Sequence, residues 1–169
     1  PEADYVYRVV PESLSGNRGG SSSHAAVRTA SPSADSPFPY RGVVEGFYNQ
    51  PWSHLDRLEM VRFLGANGLN FYLYAPKLDA YHRSSWRIPY PERELRLFRE
   101  LVDAAEKHGV TFCYGLSPGI DFRWENPQEP GRILEKLRAF HEMGVRSFCL
   151  LFDDTPDTAT PTDAASPTD

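Results

Sequence analysis

The stretch "GVVEGFYNQPWSHLDRLEMVRFLGANGLNFYLYAPK", residues 42–77, decides how the rest of the chain is read. It opens on a short apolar run, turns through bulky aromatics, and enters a segment with helical periodicity. Ser53 is a candidate N-cap with Asp56 three residues on, and Leu55, Leu58, Met60 or Val61, and Leu64 supply an apolar stripe. Gly68 supplies a stop, and "LNFYLYAP" (69–76) follows as a run apolar enough to be covered on both faces. Strand, helix and strand in that order, with a crossover of this length, imply parallel strands.

The pattern repeats downstream. After a polar-aromatic loop, "PERELRLFRELVDAAEKHG" predicts a second helix, with Pro91 in its first turn and Leu95, Phe98, Leu101, Val102 and Ala105 on its buried face. "VTFCYGLSPG" (110–119) predicts a third strand, "PGRILEKLRAFHEMG" a third helix ending in Gly, and "VRSFCLLFDD" (145–154) a fourth strand. The first strand–helix turn, "EGFYNQPWS", has no Gly-x-Gly-x-x-Gly cradle, which weighs against a doubly wound dinucleotide fold. The unusual residues gather after strand C-termini: Gly46-Phe47-Tyr48, Lys77, Ser117-Pro118-Gly119 and Asp153-Asp154. That is where a barrel keeps its chemistry. The expected fold is α/β, the N-terminal half of a (β/α)8 barrel with four parallel strands and three helices. A whole barrel needs about 250 residues, so the reading treats the chain as part of one.

Outside this region the composition changes. Residues 1–39 are expected to be a low-complexity, disordered linker, because "PESLSGNRGGSSSHAAVRTASPSADSPF" carries hardly any large apolar residue. Within it, "DYVYRVV" could form a strand. Residues 40–155 form the partial barrel, and 156–169, rich in Thr, Pro, Asp and Ala, a disordered loop or tail. A net charge of −5 supplies no basic field for nucleic acid. No apolar stretch approaches the ~20 residues of a membrane span, and no signal peptide is visible, which leaves the compartment open. Cys113 and Cys149 sit in apolar runs and read as reduced core residues, and the histidines show no metal-ligand spacing.

The strand ends then have to be weighed as chemistry. Alone, Asp153-Asp154 is a turn or a helix cap, or a Mg²⁺ site of a phosphate-handling enzyme. Lys77 alone is a solvated lysine, and the aromatics alone are core. Taken together, two adjacent carboxylates in contact resist joint ionisation, so one can act as an acid near neutral pH. Lys77 can bond a hydroxyl, Gly46 lets a ligand approach the backbone, and Phe47, Tyr48, Tyr74, Tyr81 and Trp86 offer flat surfaces for sugar rings. An acidic pair with aromatics at a barrel mouth fits glycoside hydrolysis.

The blocks "VVEGFY", "YAPK", "YHR..WR.PYP" and "SPG", in that order, with "MGVRSFCLLFDD" after them, closely resemble the opening of the catalytic domain of glycoside hydrolase family 84. The resemblance runs from about Tyr40 to Asp154. It implies a β-N-acetylglucosaminidase acting on a glycan or glycoprotein, with no cofactor and no metal. By position, it implies that Gly46 makes a backbone contact to a sugar hydroxyl and that Lys77 bonds the bound sugar. It further implies that Asp153 orients the substrate's 2-acetamido group and that Asp154 is the general acid and then base. Phe47 and Tyr48 belong to the same substrate-binding set. Asn49 stands where the family usually has Gly, a position where Asn tolerates left-handed geometry. A non-catalytic sugar-binding protein is the alternative, and a metal-dependent lyase or phosphoryl-transfer barrel the third reading. As an isolated polypeptide the chain is expected to be inactive.

Overall fold

The computed structural model describes residues 36–153, and the backbone of 4–7 and 25–28. Two units separate at Pro39 and Tyr40. In the first, strand β1 (Asp4–Tyr7) pairs antiparallel with β2 (Ala25–Arg28), Asp4 opposite Arg28 and Tyr7 opposite Ala25. Both strands fall in the segment expected as a low-complexity linker over 1–39, and β1 lies inside the "DYVYRVV" run that has strand character. The rest of 1–35, and the tail expected over 156–169, lie outside the described residues.

The second unit runs β3 (Gly42–Glu45), α1 (His54–Ala66), β4 (Phe71–Tyr74), α2 (Glu92–Lys107), β5 (Thr111–Leu116), α3 (Glu129–Glu142) and β6 (Ser147–Leu150). The strands are parallel and lie in chain order, β3-β4-β5-β6. These are the four strands and three helices of a half (β/α)8 barrel. Among the described residues no helix is long and apolar enough to cross a membrane.

Each element has a local cause. Ser53 caps α1 with its side chain on the Asp56 N–H while Asp56 bonds back to the Ser53 N–H, a closed capping box. The helix-to-strand turns pass through Gly68 (φ 66°), Gly109 (φ 68°) and Gly144 (φ 102°), left-handed positions that a side chain would strain. No non-glycine residue among those described has a positive φ, so the turn at Asn49 does not use the left-handed geometry its side chain would tolerate.

Side chains alternate across the sheet, and the ring contacts show which face is which. Tyr72, Tyr74, Phe112 and Tyr114 point to the helices, where Tyr74 and Tyr114 meet Phe98 and Tyr114 stacks on Phe140. These rings, with Val61, Leu64, Leu101, Val102 and Ala105, make the buried core. Residues one step out of phase, including Leu73, Ala75, Cys113 and Gly115, take the opposite, inward face. The expected stripe of α1 holds at Val61 and Leu64, with Leu58 and Met60 packed beside them. Leu55 is 71% exposed, because a position six residues before Val61 lies about 240° around the helix from it. The expected face of α2 is buried, Leu95 partly.

Candidate active site

Continuing the alternation past the strand ends puts Lys77 after β4, Ser117 after β5 and Asp153 after β6 on the inward face. The structure brings two of the sequence-selected residues into direct contact: Lys77 Nζ donates to Asp153 Oδ2 at 2.7 Å. The Lys77 side chain is 7% exposed and that of Asp153 54%. A shielded ammonium therefore fixes one oxygen of a carboxylate that is still open to solvent. With Asp153 half exposed, the pair contributes little Coulomb energy, and its effect is to fix where the carboxylate stands.

Gly46 and Phe47 reach the same place through the backbone. Ala75 N–H donates to Glu45 O at 3.0 Å, and Lys77 N–H to Phe47 O at 3.2 Å, so the end of β3 is stitched to the segment carrying Lys77. A side chain on Gly46 would bring its Cβ to 3.1 Å from Val44 Cγ1, a close approach that glycine avoids. Phe47 packs edge-on against Trp52, ring centroids 5.6 Å apart. Tyr48 stands 58% exposed with the Arg83 guanidinium 5.8 Å from its ring centre. Asp154, the partner of Asp153 in the sequence reading, lies outside the described residues.

Two of the expected sugar-facing aromatics are corrected. Tyr74 and Trp86 are core residues, 4% and 0% exposed, with no open ring face to offer a sugar. Tyr74 points to the helices and donates its hydroxyl to Asp79 at 2.7 Å. Trp86 donates its indole N–H to Asp121 at 2.8 Å. Burial also pushes the Tyr74 hydroxyl well above its ordinary pKa, with the nearby Asp79 charge adding to the effect. Tyr81 is partly buried against Tyr90.

Three residues that the sequence reading left without a role matter here. Glu45 ends β3 fully buried, and its carboxylate accepts from Arg57 Nε and Nη2 (both 2.9 Å), Trp52 N–H (3.1 Å) and the Tyr72 hydroxyl. This fork shapes the turn that delivers Gly46 and Phe47. Burial opposes the Arg57 charge, but the bonds to Glu45 outweigh it and hold its pKa above the usual value. His82 and Ser117 are also fully buried, His82 over the end of β5. A Glu closing an apolar strand, "VVEG", was the available signal for the first. The other two lie in the "YHR..WR.PYP" and "SPG" blocks, which mark their positions without giving their contacts.

A family model described as beta-N-acetylglucosaminidase matches residues 41–168. The chain belongs to this family, glycoside hydrolase family 84. Protein O-GlcNAcase of Rattus norvegicus and that of Mus musculus are each 45% identical to it over 113 residues, 67% of this chain. The chain spans 12% of the length of each. Among solved structures, a mutant of the O-GlcNAc hydrolase of Thermobaculum terrenum matches with a TM-score of 0.69 and 46% identity. That match covers 70% of this chain and 26% of the hydrolase. Family membership thus spans every strand end that the inward face assembles.

Proposed function

We propose that the protein carrying this chain hydrolyses terminal β-linked N-acetylglucosamine from a glycan or glycoprotein, and that the inward-facing strand ends supply part of its active site. The observation that carries this reading is the 2.7 Å Lys77–Asp153 pair beside the β3 turn, in a chain of the β-N-acetylglucosaminidase family. Asp153 accepts the N–H of the substrate's 2-acetamido group, which turns the acetamido oxygen toward the anomeric carbon and raises its electron density. That oxygen attacks the anomeric carbon as the glycosidic C–O bond breaks, and Asp154 gives its proton to the departing oxygen. As the ring closes the amide proton passes to the Asp153 carboxylate, so the product is a neutral oxazoline fused to the sugar. Asp153 returns that proton to the nitrogen when the ring reopens. Water, deprotonated by the Asp154 carboxylate, then adds to the anomeric carbon from the face the leaving group vacated, so configuration is retained. Lys77 and the Gly46 backbone hold sugar hydroxyls, with Phe47 and Tyr48 at the rim. The amide nucleophile belongs to the substrate, so the site needs no nucleophilic side chain.

The test is a series of aryl β-glucosaminides whose 2-acetamido methyl carries zero to three fluorines, assayed on the full-length protein. Each fluorine weakens the amide oxygen as a nucleophile. The proposal expects kcat/KM to fall steeply, by orders of magnitude across the series. A flat series would mean that the acetamido group takes no part.

A further inference from the structure

The loop that carries Lys77 leaves the sheet at a proline, and His82 repairs the consequence. In the β4–β5 ladder Thr111 N–H donates to Asn70 O, and Tyr74 stands opposite Tyr114. Continued by the parallel pattern, Gly115 O would accept from the N–H of residue 76, and Ser117 N–H would donate to the carbonyl of residue 76. Residue 76 is Pro76, which has no N–H, and its carbonyl accepts from Asp79 N–H at 3.0 Å instead of from Ser117. Both bonds go to His82 instead: its Nδ1 lies 2.8 Å from Gly115 O, and its backbone carbonyl accepts Ser117 N–H at 3.0 Å. A carbonyl can only accept, so Nδ1 carries the proton. The ring is fully buried, and its Nε2 has no hydrogen-bond partner among the described residues. Burial favours the neutral ring first; the Gly115 bond and Asp79 favour the charged form, and Lys77 and Arg83 oppose it. The balance lies below the ordinary histidine value.

We propose that His82 is a positioning residue of the sugar site: as the neutral Nδ1–H tautomer it replaces the missing β4 donor and latches the Lys77 loop onto β5. This rests on the functional reading above only for its kinetic consequence. The latch holds residues 77–82 between two fixed points, Phe47 O at Lys77 and Gly115 O at His82. Losing the second lets Lys77 drift from Asp153.

Two substitutions separate the ends of the ring. His82→Asn keeps an amide N–H where Nδ1 stood and removes Nε2. His82→Gln places its amide at the Nε2 position and loses the Nδ1 donor. The measurements are imidazole ¹⁵N and Lys77 Cε NMR shifts, and kcat and KM for an aryl N-acetyl-β-glucosaminide, on the full-length protein. At pH 7 the His82 ring is expected neutral with Nδ1 protonated, titrating below the ordinary 6.5. His82→Gln is expected to shift the Lys77 Cε resonance and raise KM more than tenfold while kcat falls less. His82→Asn is expected to stay within about threefold on both, an allowance for the altered ring volume. Adding His82→Gln to Lys77→Met should then cost less than twofold more, since the residue to be positioned is gone. An Nε2-protonated or charged ring at pH 7 overturns the proposal, as do Asn and Gln variants that behave alike. A wild type without turnover sinks the functional reading, and the NMR shifts of the two variants then decide the latch.

Discussion

Glu45 shows what one buried charge asks of its neighbours. Its carboxylate, fully buried, is held by the Arg57 fork, the Tyr72 hydroxyl and the Trp52 amide. Removing the cation leaves a charge that neither water nor another cation in that set can compensate. Arg57→Met is therefore expected to cost about 3–5 kcal/mol in urea unfolding, against well under 1 for an exposed pair. A loss below about 1 kcal/mol would mean that the pair is no more than a surface contact. At this scale the sequence was legible where a motif marked the residue. Lys77, Gly46 and Asp153 followed from strand ends and family blocks, and the structure puts Lys77 on Asp153. It was not legible for His82, whose role depends on a proline six residues back and a carbonyl 33 residues on. Nor was it for Tyr74 and Trp86, since an aromatic near a strand end can face the helices or the mouth. Only the phase of the strand distinguishes the two for Tyr74.

Between elements, two glycines in helices have opposite reasons to exist. Gly65 sits in α1 where a Cβ would meet His108 O at 2.4 Å and His108 Cβ at 2.9 Å, at the C-terminal end of α2. Gly131 sits in α3 with nothing within 4 Å of the same position. Helix propensity alone favours Ala over Gly by roughly 1 kcal/mol at both. Packing reverses the sign at Gly65, because the obstacle is backbone that cannot rotate away. Gly65→Ala is expected to destabilise by about 1–3 kcal/mol, and Gly131→Ala to stabilise by about 0.5–1. Thermal unfolding of the two variants checks this, and the same sign for both would contradict the packing account. Helix and strand identities were readable from periodicity, from the Ser53–Asp56 box and from the closing glycines, since those causes are local. The exposure of Leu55 was not, because an apolar residue in the first turn fits the helical pattern without telling which way the helix rolls. The strand at 4–7 was readable from its "DYVY" run, whereas that at 25–28 was not, because a short pairing in a Ser- and Gly-rich segment has no amphipathic signal.

For the whole molecule, the sheet order β3-β4-β5-β6 gathers residues distant in sequence along one inward row. Lys77 and Asp153 are 76 positions apart, yet register and alternation bring them within a hydrogen bond. β3 and β6 flank the described sheet, and Val44 and Leu150 on them are 58% and 45% exposed. The fold class was legible because each βαβ unit has one handedness and one direction, so counting units gave the architecture. The site was legible in part, since half its logic lies in which face a residue takes.

The most direct test of the central claim is hydrolysis of an aryl N-acetyl-β-glucosaminide by the full-length protein, with Asp153→Asn and Asp154→Asn beside it. The account predicts turnover in the wild type. It predicts a fall of at least about a hundredfold in each variant, the scale set by losing a proton donor or a charged orienting group. Folded protein with no turnover in the wild type, or either variant within a few fold of it, would contradict the account.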